Sequence, residues 1–127
     1  MIEEVRVLAE RANSIREAVA AMISIESFLT EKNLVDKETL ARLEEVIFKI
    51  LINHARIALE IIEKAIKSND RDSLKIGLFC CEVCLGILQT SGKEVLDEIN
   101  LDKEGLDKFR SAITQKIEFI ESTSLLL

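Results

Sequence analysis

The chain contains no proline, no tryptophan and no tyrosine, and only four glycines among 127 residues. Without proline nothing in the backbone forces a helix to break, and few glycines mean few low-cost turns. Long uninterrupted helices are therefore favoured before any periodicity is counted. A single histidine leaves conventional acid–base or nucleophilic catalysis with few players. There is no glycine-rich phosphate loop, no Ser–His–Asp set and no aromatic-plus-basic segment. The net charge of −6 lacks the basic stripe that phosphate binding requires, so DNA is not an expected partner.

The segment "MIEEVRVLAERA" is charged from its third residue, unlike a signal peptide. The longest strongly apolar run, Ile76 to Leu88, is interrupted by Glu82 and reads as too short to span a bilayer, so no membrane partner is expected. An odd number of cysteines without a secretion signal predicts reduced thiols and a cytoplasmic location.

What remains is 48% hydrophobic and 31% charged residues, the profile of one folded domain spanning residues 1–127. Apolar positions recur at Val5, Leu8, Ala12, Ile15, Val19, Met22 and Leu29 in steps of three and four, with Glu26 the one polar member. That spacing predicts a helix. Asn33 tolerates a left-handed position after it, and Asp36 can cap the next. A second seam runs Leu40, Leu43, Ile47, Ile50, His54, Ile57 and Ile61, followed by the capping residues of "SNDRD". The third reads Leu74, Leu78, Cys81, Leu85 and Leu88, then Gly92, Val95 and Ile99. Ser91-Gly92-Lys93-Glu94 fits a capping box and predicts a break there. The fourth follows Asp102 through Leu106, Phe109, Ile113, Ile117 and Ile120, leaving a tail "STSLLL" to dock or fray.

Short connections make consecutive helices antiparallel neighbours. The predicted fold is all-α, an antiparallel up-and-down four-helix bundle of two helical hairpins. An offset of 66 residues lays much of the first hairpin on the second: Leu8 falls on Leu74, Val19 on Leu85, and Asp36-Lys37-Glu38 on Asp102-Lys103-Glu104. A duplicated hairpin accounts for this, although seams of this kind match one another easily. The stretches "ILINHARIALEII" and "IGLFCCEVCLGIL" are apolar on nearly every side. A helix of that kind must be covered all round, and a second copy of the chain is the expected cover.

Antiparallel pairing also sets heights. Residue i faces roughly 69 − i, 139 − i and 202 − i across the three connections, to about one helical turn. His54 then lies level with Cys84 and one turn from Cys81, with Glu118 nearby. Two thiolates, an imidazole and a carboxylate form a ligand set suited to zinc. Against this, the cysteines sit mid-helix without a turn to wrap an ion, and Gly77, Cys81, Cys84 and Gly86 also read as a small-residue stripe for close helix packing. At another height Glu26, Glu44, Glu45, Glu94 and Asp97 converge, a candidate site for another divalent metal. Arg42, Lys49 and Lys108 are near enough to make this an ion-pair tier instead.

In length and architecture the chain resembles HEPN domains, dimeric helical bundles that often act as ribonucleases through an arginine and a histidine. The matching stretch is Lys49-Ile-Leu-Ile-Asn53-His54. Lysine stands where the arginine is expected and isoleucine beside it where a polar residue is expected, so one motif residue survives. The resemblance implies Lys49, Asn53 and His54 as catalytic candidates. Glu60-x-x-Glu63 and Glu94-x-x-Asp97 are similar to the acidic pairs of MazG-like pyrophosphatases, yet the predicted heights separate them by about 25 Å. The leading expectation is a non-enzymatic, homodimeric assembly or regulatory module, open to a further protein partner and needing no cofactor. The alternatives are a HEPN-like ribonuclease and a metal-binding bundle using His54 with Cys81 and Cys84.

Overall fold

The computed structural model describes residues 2–33 and 36–126, with side chains described at 10, 14, 17, 18, 20–33 and 36–123. Among the described residues there are five helices and no strand: α1 (Ile2–Glu31), α2 (Lys37–Ile66), α3 (Arg71–Ser91), α4 (Glu94–Asp97) and α5 (Lys103–Leu126). The side chains of Val5, Leu8, Ala12, Ile15 and Val19, and the end of the "STSLLL" tail, lie outside the described set.

The helix ends form where short polar residues satisfy orphan backbone groups. Asn33 closes α1 in the left-handed region with φ 55°. Asp36 accepts a hydrogen bond from the Thr39 amide at 2.7 Å and starts α2. Asp70 does the same for α3 through Ser73, at 3.0 Å. Asp102 accepts from the Gly105 amide at 2.7 Å at the start of α5.

The break after Ser91 is present, but no capping box makes it. Gly92 takes φ 76°, a conformation that L side chains avoid, and its amide donates to the Leu88 carbonyl. Lys93 precedes α4 without a side-chain cap. Asn100, also left-handed at φ 56°, helps turn the chain from α4 into α5.

The 66-residue offset carries into structure. Asp36 and Asp102 both cap helices. The ion pairs Arg42–Glu38 and Lys108–Glu104 follow them at equivalent positions. Helix α1 ends at Glu31 and α4 at Asp97, also 66 apart.

At the centre, α2 packs along α3. Helix α1 flanks this pair by touching α2 and α3, and α5 flanks it chiefly along α3. Among the described residues α1 and α5 make no contact. The core runs through Ile47, Leu51, Ala58, Ile61 and Ile62 of α2, Leu74, Cys80, Cys84 and Ile87 of α3, and Leu106 and Ile113 of α5.

This packing answers the expectation that α2 and α3 need a second chain to hide them. Neighbours within the same chain cover most of the stretch Ile50–Ile62, whose exposed line is Asn53, Arg56 and Glu60, whereas nearer its start α2 leaves Val46 exposed. Helix α3, at 21 residues, is long and apolar enough to cross a membrane by length and composition alone. The strongly apolar run Ile76–Leu88 itself is shorter than that, with Lys75 before it and Gln89, Thr90 and Ser91 after it. In this fold α3 is a core helix, packed between α2 and α5.

Candidate functional site

Cys80, Cys81 and Cys84 are all free and fully enclosed. Their burial removes water from any thiolate, which pushes Cys80 and Cys84 up to about 12 and Cys81 to about 11. For Cys81 the neighbouring Glu82 adds to that rise, and the Arg110 guanidinium offsets part of it. Thiols held this far from ionisation act as small apolar packing groups. The stripe around them begins at Gly77, where a side-chain β-carbon would stand 2.6 Å from Ala65 Cβ on α2. The cysteine-rich segment lies on the face of α3 that packs into the core.

Two ion pairs set the register of α5 on α3. Arg71 Nη2 meets Glu121 Oε1 at 2.9 Å, and Arg110 Nη2 meets Glu82 Oε1 at 2.8 Å. By this register Glu118 stands opposite Leu74, ten residues along α3 from Cys84, which is about 15 Å at ~1.5 Å per residue. The predicted height of Glu118 is therefore corrected, and it does not join Cys81, Cys84 and His54. The error has a physical source. The spacing of the seam continues to Ile99, whereas Gly92 ends α3 a turn and more earlier and α4 follows as a separate turn.

The register of α3 on α2 matches expectation within one turn. The Gly77–Ala65 approach places His54 opposite Leu88, one turn from Cys84. His54 is fully enclosed. Lys49 and Asn53, four residues apart on α2, face solvent on another side, and Lys49 pairs with Glu45 at 3.1 Å. The helix thus directs the three HEPN-like candidates apart: two into water and the imidazole into the core. A ribonuclease that works through this histidine needs it open to an RNA phosphate, and here it is sealed.

Of the acidic tier, only Glu26 and Glu44 interact. Desolvation raises the Glu26 carboxyl above its ordinary value, and the hydrogen bond and charge of Glu44 raise it further. Glu45 is paired with Lys49, and Glu94 and Asp97 lie exposed on α4. Among the described residues no three His, Cys, Asp or Glu side chains form a group able to hold a metal ion.

A groove of about 450 Å³ runs where α5 passes the end of α2, lined by Ile66, Asn69, Ala112, Lys116, Phe119 and Ile120. Lys116 Nζ donates to the Ile66 carbonyl at 2.6 Å and the Ser68 carbonyl at 3.2 Å. A cation is thereby placed on the orphan carbonyls at the C-terminus of α2. Sequence reading did not single out Lys116, because only the packing of α5 beside α2 brings it there.

Among the described residues, the large apolar side chains left in solvent are Ile25 and Phe28 on α1, Val46 on α2, Phe79 on α3 and Phe119 on α5. No protein-family model matches the chain, and no curated protein or solved structure matches it.

Proposed function

We propose that the chain is a non-enzymatic helical module of two antiparallel hairpins that works by self-association as a homodimer. One observation carries the reading: Ile25 and Phe28 are 57% and 54% exposed on α1. Large side chains three residues apart share a helix face and gain most by being withdrawn from water together. The enclosed position of His54 and the raised thiols of Cys80, Cys81 and Cys84 turn the chemistry-bearing residues inward. The outer surface is thus better suited to contact than to turnover.

The test is the solution mass of the purified chain by size-exclusion chromatography with light scattering. A mass twice that of the 14.3 kDa chain is expected at tens of micromolar, the range for a modest helical interface. A mass of one chain throughout that range overturns the reading.

A further inference from the structure

We infer that the homodimer forms by antiparallel pairing of α1 with α1 of a second copy, about a two-fold axis at Ala21; this rests on the self-association reading above. Ser14, Ala18, Ala21, Ile25 and Phe28 follow one another in steps of four and three, and all are exposed. That spacing makes a continuous seam along one flank of α1 and is the spacing of helices that pair side by side. It is separate from the inward seam of Met22, Glu26 and Leu29, which is half-buried against the rest of the chain.

The seam is uneven along its length, with small residues in its first half and large ones in its second. A parallel pairing sets Phe28 against Phe28 and leaves a gap between the serines and alanines. An antiparallel pairing brings together positions equally distant from Ala21. Ser14 then meets Phe28, and Ala18 meets Ile25 to within one residue. Each bulky side chain fills the space above a small one, and the Ala21 pair lets the axes come close.

The charges select the same arrangement. Glu10 and Lys32, both exposed, are each eleven residues from Ala21, so antiparallel copies set Glu10 against Lys32 at both ends. A parallel pairing instead sets Glu10 against Glu10 and Lys32 against Lys32. Within one chain Glu10 and Lys32 are about 33 Å apart at ~1.5 Å per residue, so any coupling between them is between copies. From Ser14 to Phe28 the seam spans about 21 Å by the same rise. That is short for a standard interface, and a micromolar dissociation constant is expected.

Sedimentation equilibrium on the full chain and four variants tests the pairing. Ile25→Glu is expected to raise the dimer dissociation constant by about 10-fold or more, as for loss of a central apolar anchor. Lys32→Glu is expected to weaken the dimer several-fold, and adding Glu10→Lys to it is expected to restore wild-type affinity. Ala21→Cys is expected to give a disulfide-linked dimer under mild oxidation, since the native thiols are enclosed. Circular dichroism melting shows whether each variant keeps its fold. A wild-type dimer that Ile25→Glu leaves unchanged, or a charge reversal that fails to restore it, or an Ala21→Cys chain that stays uncross-linked, overturns the pairing and leaves the homodimer standing. A wild-type chain that stays monomeric overturns both.

Discussion

Gly77 of α3 and Ala65 of α2 stand so close that a methyl group added to the glycine would lie 2.6 Å from the alanine Cβ. Real β-carbons do not approach that closely, so this contact limits how near α2 and α3 can lie. Gly77→Ala sets two effects against each other. Alanine improves helix propensity by roughly 1 kcal/mol, but Ala65 has no flexible end that can yield, and the Ile113 Cδ1 atom is only 3.3 Å away. Overpacking dominates, and a net loss of about 1–3 kcal/mol is expected from urea unfolding.

The three enclosed thiols give a chemical readout of the same core. At pH 8 the thiols of Cys80, Cys81 and Cys84 remain protonated, with values near 12, 11 and 12. A thiol reagent is expected to find none of the three in the folded chain and all three after denaturation. Fast labelling of any native cysteine would show that the core segment of α3 opens.

Glu26 links stability to pH. Its folded-state pKa lies above the ordinary value, through desolvation first and Glu44 second, so the folded chain binds this proton more tightly than the unfolded one. The contribution is fully present below the unfolded-state pKa and is lost as pH rises through the folded-state value. Glu26→Gln, which mimics the protonated form, is therefore expected to stabilise the chain at pH 7 by under about 0.5 kcal/mol, the scale of a solvent-screened pair. The gain should vanish in melts below pH 4. A variant equally stabilising at both pH values would rule out the carboxyl–carboxyl cause.

Asp36 acts with the opposite sign. The Thr39 amide holds its carboxyl below the usual range, so its capping contribution is present above the unfolded-state pKa and is lost as pH falls through the folded one. Asp70 caps α3 in a more enclosed setting, accepting from both the amide and the hydroxyl of Ser73 at 3.0 Å. Asp70→Ala is expected to cost about 1 kcal/mol in thermal melts.

Lys116 tests the junction of α2 and α5. Lys116→Met keeps much of the apolar stem but leaves the Ile66 and Ser68 carbonyls without their cation. A loss of about 1–2 kcal/mol is expected by urea unfolding. Hydrogen exchange should quicken at the last turn of α2 and leave its middle unchanged.

Local order was legible in the sequence because it arises from interactions a few residues apart. Steps of three and four marked the helices, while Asn33, Asp36, Asp70, Gly92 and Asp102 marked their ends; each acts on its own backbone. Heights across α1–α2 and α2–α3 were also within reach, since short connections leave little freedom. The α3–α5 register was not, because one left-handed glycine and the single turn of α4 shift every later residue by about 15 Å at ~1.5 Å per residue. The same shift separates Glu118 from the cysteines, so the four expected ligands do not come together.

By itself the amino-acid order determined an all-helical chain with its caps and its break at Gly92, since all of these depend on near neighbours along the backbone. Only the tertiary structure decided that α2 and α3 hide each other, that His54 points into the core while Lys49 and Asn53 face water, and that α1 keeps Ile25 and Phe28 exposed. Burial depends on which distant segments arrive beside a helix. An apolar pattern shows that cover is needed, and the packed chain decides what supplies it.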